Sequence, residues 1–321
     1  LRDSIRITTK LPHYLIKERA SLDSYFKEQS ERLRTGRFDC YFMHMLNDSN
    51  TWKRLEGLGI LEWLDEKRKS GQIGQVGFSY HGNPEEFIKL LKVYDWDLCQ
   101  IQYNYMDENS QAGVTGLKAA AEKGIPVVIM EPLRGGKLVK VPDKAQKLIE
   151  DNPSGRSAAR WSFDWLWDQK EILCVLSGMN SLEMVRENAE AADGAFAGMF
   201  SGEDRAFVEK LRAMINERTK VPCTGCRYCM PCPKGVDIPG TFSAYNRLYS
   251  EGWYGGMKEY FMNTAIRGTV TSAGKCVKCG KCEQHCPQGI HIRDMLDEAR
   301  KKLENPAYKA GKAIAARILK Y

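Results

Sequence analysis

The first 200 residues of the chain alternate between short apolar runs and longer segments in which apolar residues recur every three or four positions. The short runs predict β-strands, and the longer segments, with charged residues between the apolar ones, predict α-helices. The predicted strands are Ile5–Lys10, Phe38–His44, Gly74–Ser79, Leu98–Tyr103, Val127–Pro132 and Ile172–Gly178. The predicted helices are Lys17–Leu33, Leu58–Ser70, Pro84–Val93, Thr115–Lys123, Ala158–Trp167, Leu182–Ala192 and Glu203–Arg218.

Repeated strand–helix units predict parallel strands, in either a doubly wound sheet or a (β/α)8 barrel. No G-x-G-x-x-G turn follows an early strand, so a dinucleotide-binding Rossmann domain has little support. In a barrel, polar residues at the carboxyl ends of several strands converge on one site. Polar or small residues occupy these ends here: Lys10, His44, Ser79, Gln100 or Gln102, Glu131 and Gly178. The pattern therefore predicts a polar site along one rim.

Eight of the 11 cysteines form two short runs near the C-terminus. The second run, Cys276, Cys279, Cys282 and Cys286 followed by Pro287, has the C-x2-C-x2-C-x3-C-P spacing of a bacterial [4Fe–4S] site. The first run, Cys223, Cys226, Cys229 and Cys232, is one residue shorter before its last cysteine. Three thiolates two residues apart let one loop bind three corners of a cubane, so the runs predict two [4Fe–4S] clusters.

In paired runs of this kind, the fourth cysteine of each run usually ligates the other cluster. This rule assigns Cys223, Cys226, Cys229 and Cys286 to one cluster, and Cys276, Cys279, Cys282 and Cys232 to the other. Zinc is the main alternative, because C-x2-C pairs also suit tetrahedral zinc, although zinc requires neither a third cysteine at this spacing nor Cys-Pro. Disulfides are the other alternative, and closely packed thiols without a secretory leader favour a metal over them.

Composition and charge narrow the class of protein. The chain has 321 residues, 43% of them hydrophobic, and no apolar stretch near the roughly 20 residues of a membrane span. We expect a cytoplasmic protein.

The formal charge of +7 falls to about +3 once eight thiolates and two +2 cores are counted, which does not favour nucleic acid as a partner. The basic residues of the C-terminal tail predict a solvated helix face, or a landing site for an acidic electron carrier: Arg300, Lys301, Lys302, Lys309, Lys312, Arg317 and Lys320.

Six stretches of the chain, in the order in which the family has them, resemble the aldo/keto reductase family. Members of this family are NAD(P)H-dependent (β/α)8 barrels. These stretches are Ile7–Lys10, Phe38–His44, Lys69–Ser79, Gln100–Asn104, Glu131–Lys137 and Ser177–Asn188. The C-terminal part is similar to the helical two-cluster ferredoxin module found in one branch of that family. The resemblance implies a barrel over residues 1–218, a ferredoxin-type domain over 219–298 with helices near Asp237–Tyr249 and Trp253–Ile266, and a basic helical tail over 299–321.

The resemblance also implies roles for individual residues. Lys10 matches the lysine that lowers the pKa of the catalytic tyrosine, and His44 matches the histidine that positions the carbonyl oxygen. Ser79 and Gln100 match residues that bind the nicotinamide amide. Further cofactor contacts are assigned to Glu131, Leu133, Gly178, Asn180, Ser181, Glu187 and Asn188. For Asn180 and Ser181 a plain helix N-cap is an equal alternative, and the choice between NADP and NAD stays open.

The family's catalytic tyrosine and aspartate would precede Lys10, and this sequence begins on what would be the third strand. We therefore expect about two more strand–helix units upstream. The first functional hypothesis is an oxidoreductase acting on a carbonyl or alcohol, with ferredoxin or another one-electron carrier as partner; the second is a non-catalytic electron-transfer or docking protein that uses the barrel as a scaffold. Cys40, Cys99 and Cys174 are predicted to be buried small hydrophobes. His13, His81 and His291 are predicted to lie on the surface.

Overall fold

One six-stranded parallel sheet organises the first part of the chain in the computed structural model, which describes residues 2–223, 225, 227–266, 269–286 and 288–319. The strands follow each other across the sheet in chain order, each pairing in parallel with the next. This order is that of successive strands in a (β/α)8 barrel and excludes a doubly wound sheet, whose order reverses at a switch point. The strands are β1 Thr8–Leu11, β2 Phe38–Met43, β3 Ile73–Tyr80, β4 Leu98–Gln102, β5 Val127–Met130 and β6 Ile172–Val175.

Helices follow each strand, and all of the predicted ones are present: Ala158–Trp167 has the predicted bounds, and the others have one or both ends shifted. Two further helices, α2 (Ser49–Gly57) and α6 (Asp143–Glu150), were not predicted from the sequence, because nine and eight residues carry too few apolar repeats. Local chemistry still defines α2, since the Asp48 side chain accepts a hydrogen bond from the Thr51 N–H (2.8 Å) as an N-cap. The helices of this part are α1 Arg19–Leu33, α2 Ser49–Gly57, α3 Ile60–Lys69, α4 Pro84–Leu90, α5 Gly113–Glu122, α6 Asp143–Glu150, α7 Ala158–Trp167, α8 Leu182–Asp193 and α9 Gly202–Ile215.

Both faces of the central strands are buried, as expected for a parallel sheet. On β2, Tyr41 and Met43 belong to the large core beneath the helices, whereas Phe42 packs with Leu98 in a small cluster on the opposite face. Phe42 needs space there: a Cβ atom on Gly77 would lie 2.8 Å from its ring. The alternating pattern of β2 therefore fixes which side chains point away from the helices.

Strand β6 lies at an edge, and among the described strands it pairs only with β5. Its Leu173 is 63% exposed and Cys174 is exposed as well. The prediction that Cys174 is buried was therefore wrong, because an apolar run indicates burial only where another element covers it. Cys40 and Cys99 are buried, as predicted.

The C-terminal part is a helical domain with a core of its own. Its helices are α10 Ile238–Ser250, α11 Gly252–Thr264, α12 Ile292–Leu303 and α13 Pro306–Leu319. Phe242, Tyr260, Leu296 and Tyr308 share this core. Helix α12 crosses residue 298, the predicted end of the ferredoxin-type domain. Helix α13 follows it and contacts the turn His13–Leu15 of the barrel part. In the described residues, no helix has the length and apolar character needed to span a bilayer.

Candidate functional site

Lys10 and His44 lie next to each other on one rim of the sheet. Lys10 is on β1, His44 directly follows β2, and the His44 N–H donates to the Leu11 carbonyl (3.0 Å). Burial lowers the pKa of Lys10, and burial together with the charge of Lys10 lowers the pKa of His44. The imidazole is therefore neutral at neutral pH, and a neutral ring can orient an oxygen atom by a hydrogen bond.

Tyr14 is a neighbour of His44 that was not predicted from the sequence. It lies in the short turn after β1, and its hydroxyl oxygen is 3.2 Å from His44 Nδ1. Burial raises the pKa of Tyr14, so the phenol keeps its proton. A hydroxyl that donates to Nδ1 leaves the ring proton on Nε2. Pro12 was the sequence signal for this position, because a proline directly after β1 indicates that the strand ends there and that the next residues turn across the rim.

Two further histidines are more enclosed than predicted. His13 is buried, with its Nε2 atom 3.2 Å from the Met45 carbonyl oxygen, so the prediction of a surface position was wrong. His81 is half-buried, with Nδ1 3.1 Å from Gln111 Oε1. Burial lowers the pKa of each to about 4. Neither had a spacing partner in the sequence, because the groups that enclose them come from other loops. His291 is exposed, as predicted.

Ser79 and Gln100 are paired neighbours on β3 and β4, and both are buried. The Ser79 hydroxyl oxygen accepts a hydrogen bond from the Met45 N–H (2.9 Å). Ser79 therefore holds the residue that follows His44, which is a structural task in addition to the nicotinamide contact predicted for it.

Glu131 connects the rim to the C-terminal domain. It follows β5 with a left-handed backbone (φ 58°), and its carbonyl accepts a hydrogen bond from Asn104 Nδ2 (3.1 Å). Its carboxylate is 3.5 Å from Lys258 Nζ on α11. Leu133 is half-buried in the next turn, where its carbonyl accepts from the Leu138 N–H (3.1 Å).

The residues predicted to bind the adenosine half lie beyond β6, four strands away from β2. Gly178, Asn180 and Glu187 are exposed. Ser181 is the N-cap of α8, accepting from the Met184 N–H (3.2 Å), so the N-cap alternative describes its role in this structure. Asn188 Nδ2 donates to the Ser177 hydroxyl (3.0 Å).

The cysteines of the two runs line two neighbouring cavities. One has Cys223, Cys229 and Cys286 in its wall. The other has Cys232, Cys276, Cys279 and Cys282. Each cavity thus receives the last cysteine of the opposite run, while Cys226 lies outside the described residues. Ile238 lines both cavities, so the two are neighbours in the domain.

The donor set of each cavity suits an iron–sulfur cubane better than a single ion. Its cysteines are spread around an apolar space, with Phe242 and Ile290 in the first wall and Val277 and Leu296 in the second. Across the described residues, no three His, Cys, Asp or Glu side chains are gathered tightly enough to hold one metal ion. Thiolates around an apolar cavity are the ligands that [4Fe–4S] clusters use.

A buried ion network joins the C-terminal domain to the barrel. Arg134, in the loop after β5, lies 3.0 Å from Asp107 and 3.0 Å from Glu251. Arg247 of α10 also pairs with Asp107, and it faces Glu259 at 3.6 Å. Burial by itself would raise the pKa of Asp107, but the guanidinium groups of Arg134 and Arg247 hold it well below its usual range.

Comparisons with known protein families give one match for the barrel part and one for the C-terminal domain. Residues 1–198 match the model of the aldo/keto reductase family, and residues 222–290 match that of the 4Fe-4S dicluster domain. A search of curated proteins gave no match.

Solved structures resemble the barrel part. The holo form of the aldo-keto reductase AKR11C1 from Bacillus halodurans superposes with a TM-score of 0.53 at 21% identity, covering 65% of this chain and 74% of that one. An aldo-keto reductase from Klebsiella pneumoniae in complex with NADPH gives 0.52 at 21% identity, covering 66% and 71%. At this level of identity the likeness concerns the fold.

Proposed function

Because the chain belongs to the aldo/keto reductase family, we propose that it is an oxidoreductase that transfers a hydride between NAD(P)H and a carbonyl or alcohol substrate, and that exchanges single electrons through two [4Fe–4S] clusters. One observation carries this proposal: the rim that holds Lys10 and His44 is in direct contact with the cysteine-bearing domain. Lys258 of α11 reaches Glu131 at 3.5 Å, and the charges of Lys258 and Lys10 both lower the pKa of His81.

The two side chains at the rim have complementary tasks. When bound, NAD(P)H would supply the hydride, and the carbonyl oxygen would gain negative charge as the C–H bond forms and then take up a proton from water. The ammonium of Lys10 stabilises that charge, and the half-buried position of the lysine makes the interaction stronger than it would be in water. Neutral His44 donates a hydrogen bond from Nε2 and fixes the position of the oxygen, with Tyr14 holding Nδ1. Support for NADP comes from the Klebsiella pneumoniae structure, which contains NADPH.

The proposed ligand sets are Cys223, Cys226, Cys229 and Cys286 for one cluster, and Cys276, Cys279, Cys282 and Cys232 for the other. When bound, the clusters accept and release single electrons. Ile238 lines both cavities, and this shared wall supports electron exchange between the two clusters. Ferredoxin or another one-electron carrier is the proposed partner.

Replacing Lys10 by methionine tests the hydride-transfer proposal. We expect Lys10→Met to lower kcat/KM for NADPH-dependent carbonyl reduction by about 10²–10³-fold, the usual loss when one group that stabilises the developing charge is removed. NADPH binding, followed by fluorescence quenching on anaerobic protein, is expected to persist. Lys27→Met, an exposed lysine of α1, is the matched control. Failure of the unaltered chain to bind NADPH or NADH would end the proposal.

Removing the Tyr14 hydroxyl tests how His44 is held. We expect Tyr14→Phe to lower kcat about tenfold with little change in KM, because the residue acts through the imidazole. A donor to Nδ1 stabilises the neutral ring, so its loss raises the pKa of His44, and the acid limb of the pH–rate profile moves to higher pH. Tyr254→Phe, at a 73% exposed tyrosine, is the control. An unmoved acid limb would contradict this role.

A further inference from the structure

The loop Cys276–Cys282 lies on the surface of the cysteine-bearing domain. Among the described cysteines of the two runs, Cys279 alone is exposed, and the others are half-buried. Val277 at the tip of the loop is 58% exposed. A cluster bound here would therefore lie just beneath the surface, separated from solvent by its own loop.

The first cysteine run contacts the barrel. Arg227 forms two hydrogen bonds of 3.0 Å with Glu85, the second residue of α4. Gly225 packs so closely on Asn109 that a Cβ atom there would lie 2.7 Å from the asparagine Cβ. The two cavities thus have different neighbours: Arg227 in the wall of the first bonds to the barrel, whereas the wall of the second includes the exposed residues Val277 and Cys279.

Lysines without a close acidic partner surround the exposed loop. Lys234, Lys278 and Lys281 are exposed, and within the described part of the chain none of them has a carboxylate within 4 Å. Of the nearby acids, Glu283 pairs with Arg293 (2.8 Å) and Asp297 with Arg300 and Lys301 (both 2.9 Å), while the exposed Asp294 also faces Arg293. The loop therefore presents surplus positive charge around a single apolar tip.

We infer that this lysine-rimmed loop is the docking surface of an acidic one-electron carrier protein. The inference rests on the proposed function, because it needs a cluster in the second cavity. Positive charge at the rim steers a negatively charged partner, and exposed Val277 is the apolar centre of the contact. The reduced carrier gives up one electron and the cluster next to Cys279 gains it, so no proton or further reactant is needed.

The same arrangement gives the order of the two sites along the proposed path. An electron that entered at the second cavity would reach the first, which shares Ile238 in its wall and includes Arg227, the partner of Glu85 in the barrel. The basic tail divides in two: Arg300 lines a small pocket together with Lys278 beside the loop, whereas Tyr308 of α13 is buried in the domain core and α13 contacts the turn His13–Leu15. The proposed docking surface is therefore centred on the cysteine loop, next to the start of the tail.

Charge reversal of the three lysines tests this surface. An acidic bacterial ferredoxin, reduced with dithionite and then freed of it, is mixed with the oxidised full-length protein in a stopped-flow spectrometer, and cluster bleaching is followed. We expect Lys234→Glu/Lys278→Glu/Lys281→Glu to lower the second-order rate constant by about 10–100-fold, and to flatten its fall with rising salt.

A second triple variant controls for net charge. Lys53→Glu/Lys92→Glu/Lys123→Glu changes three exposed barrel lysines by the same total charge, and its rate is expected to stay within about twofold of the unaltered protein. Reduction by a zwitterionic viologen should be equal in all three proteins. Equal ferredoxin rates in the two triple variants would overturn the docking surface while leaving the proposed function intact. Absence of iron and sulfide in the unaltered protein, measured first, would overturn the proposed function.

Discussion

The double variant Cys232→Ala/Cys279→Ala is expected to retain as much iron as either single variant, about four of about eight atoms. Cys232 and Cys279 belong to different runs but line the same cavity. If they bind the same cluster, removal of the second cysteine causes no further loss of iron. Iron and acid-labile sulfide are measured on anaerobically purified protein, with the EPR spectrum of the reduced sample as a second readout.

The reciprocal double variant is the matched control. Cys229 and Cys232 belong to one run but line different cavities, so Cys229→Ala/Cys232→Ala is expected to lose both clusters. Ligation within each run predicts the opposite pattern: the first double variant would be free of iron and the second would keep half. That pattern would contradict crossed ligation, and stoichiometric zinc without sulfide would contradict the clusters themselves.

Replacement of Asp107 by asparagine is expected to cost about 3–5 kcal/mol of unfolding free energy, the usual penalty for breaking a buried ion pair from one side. Asp107 faces two arginines, Arg134 from the barrel loop and Arg247 from α10, and its side chain is 3% exposed. Without the carboxylate, two guanidinium groups remain close together in a buried space. Anaerobic urea unfolding measures the loss.

An exposed ion pair is the control for this change. Asp65 and Lys69 are 2.6 Å apart on α3, with side chains 60% and 76% exposed, and Asp65→Asn is expected to cost less than about 1 kcal/mol. Equal losses in the two variants would show that the buried network does not hold the domains together.

The pH dependence of the Asp107 contribution has a defined sign. Its pKa in the folded protein is below the ordinary value of 3.8, so its contribution is complete above that value and is lost as the pH falls below it. The difference in unfolding free energy between the unaltered protein and Asp107→Asn is therefore expected to be constant from about pH 6 to 8. A difference that changed across this range would indicate that another titrating group is responsible.

Local spacing made much of the fold predictable. Strand positions, strand direction and most helices follow from apolar periodicity, because burial of one face or stripe repeats with the period of each element. The partition of the cysteines between two sites also follows from spacing, since short loops limit which thiols can meet. Adjacency of Lys10 and His44 follows from their places at the ends of consecutive parallel strands.

Features that depend on neighbours distant in the chain were not predictable in the same way. Cys174 has the same apolar surroundings in sequence as Cys99, yet it is exposed because β6 is an edge strand. His13 is buried because Met45 and the Arg54 side chain close over its turn. The apolar pattern of a segment does not record which element covers it.

The sequence by itself determined the parallel strand direction, the polar rim and the two cysteine sites, because each depends on periodicity or on spacing within a few residues. Only the tertiary structure decided that Tyr14 holds His44, that Arg247 meets Asp107 across 140 positions of the chain, and that one cysteine loop faces the barrel while the other faces solvent. These contacts join elements whose relative placement comes from packing of two whole domains. No local pattern carries that information.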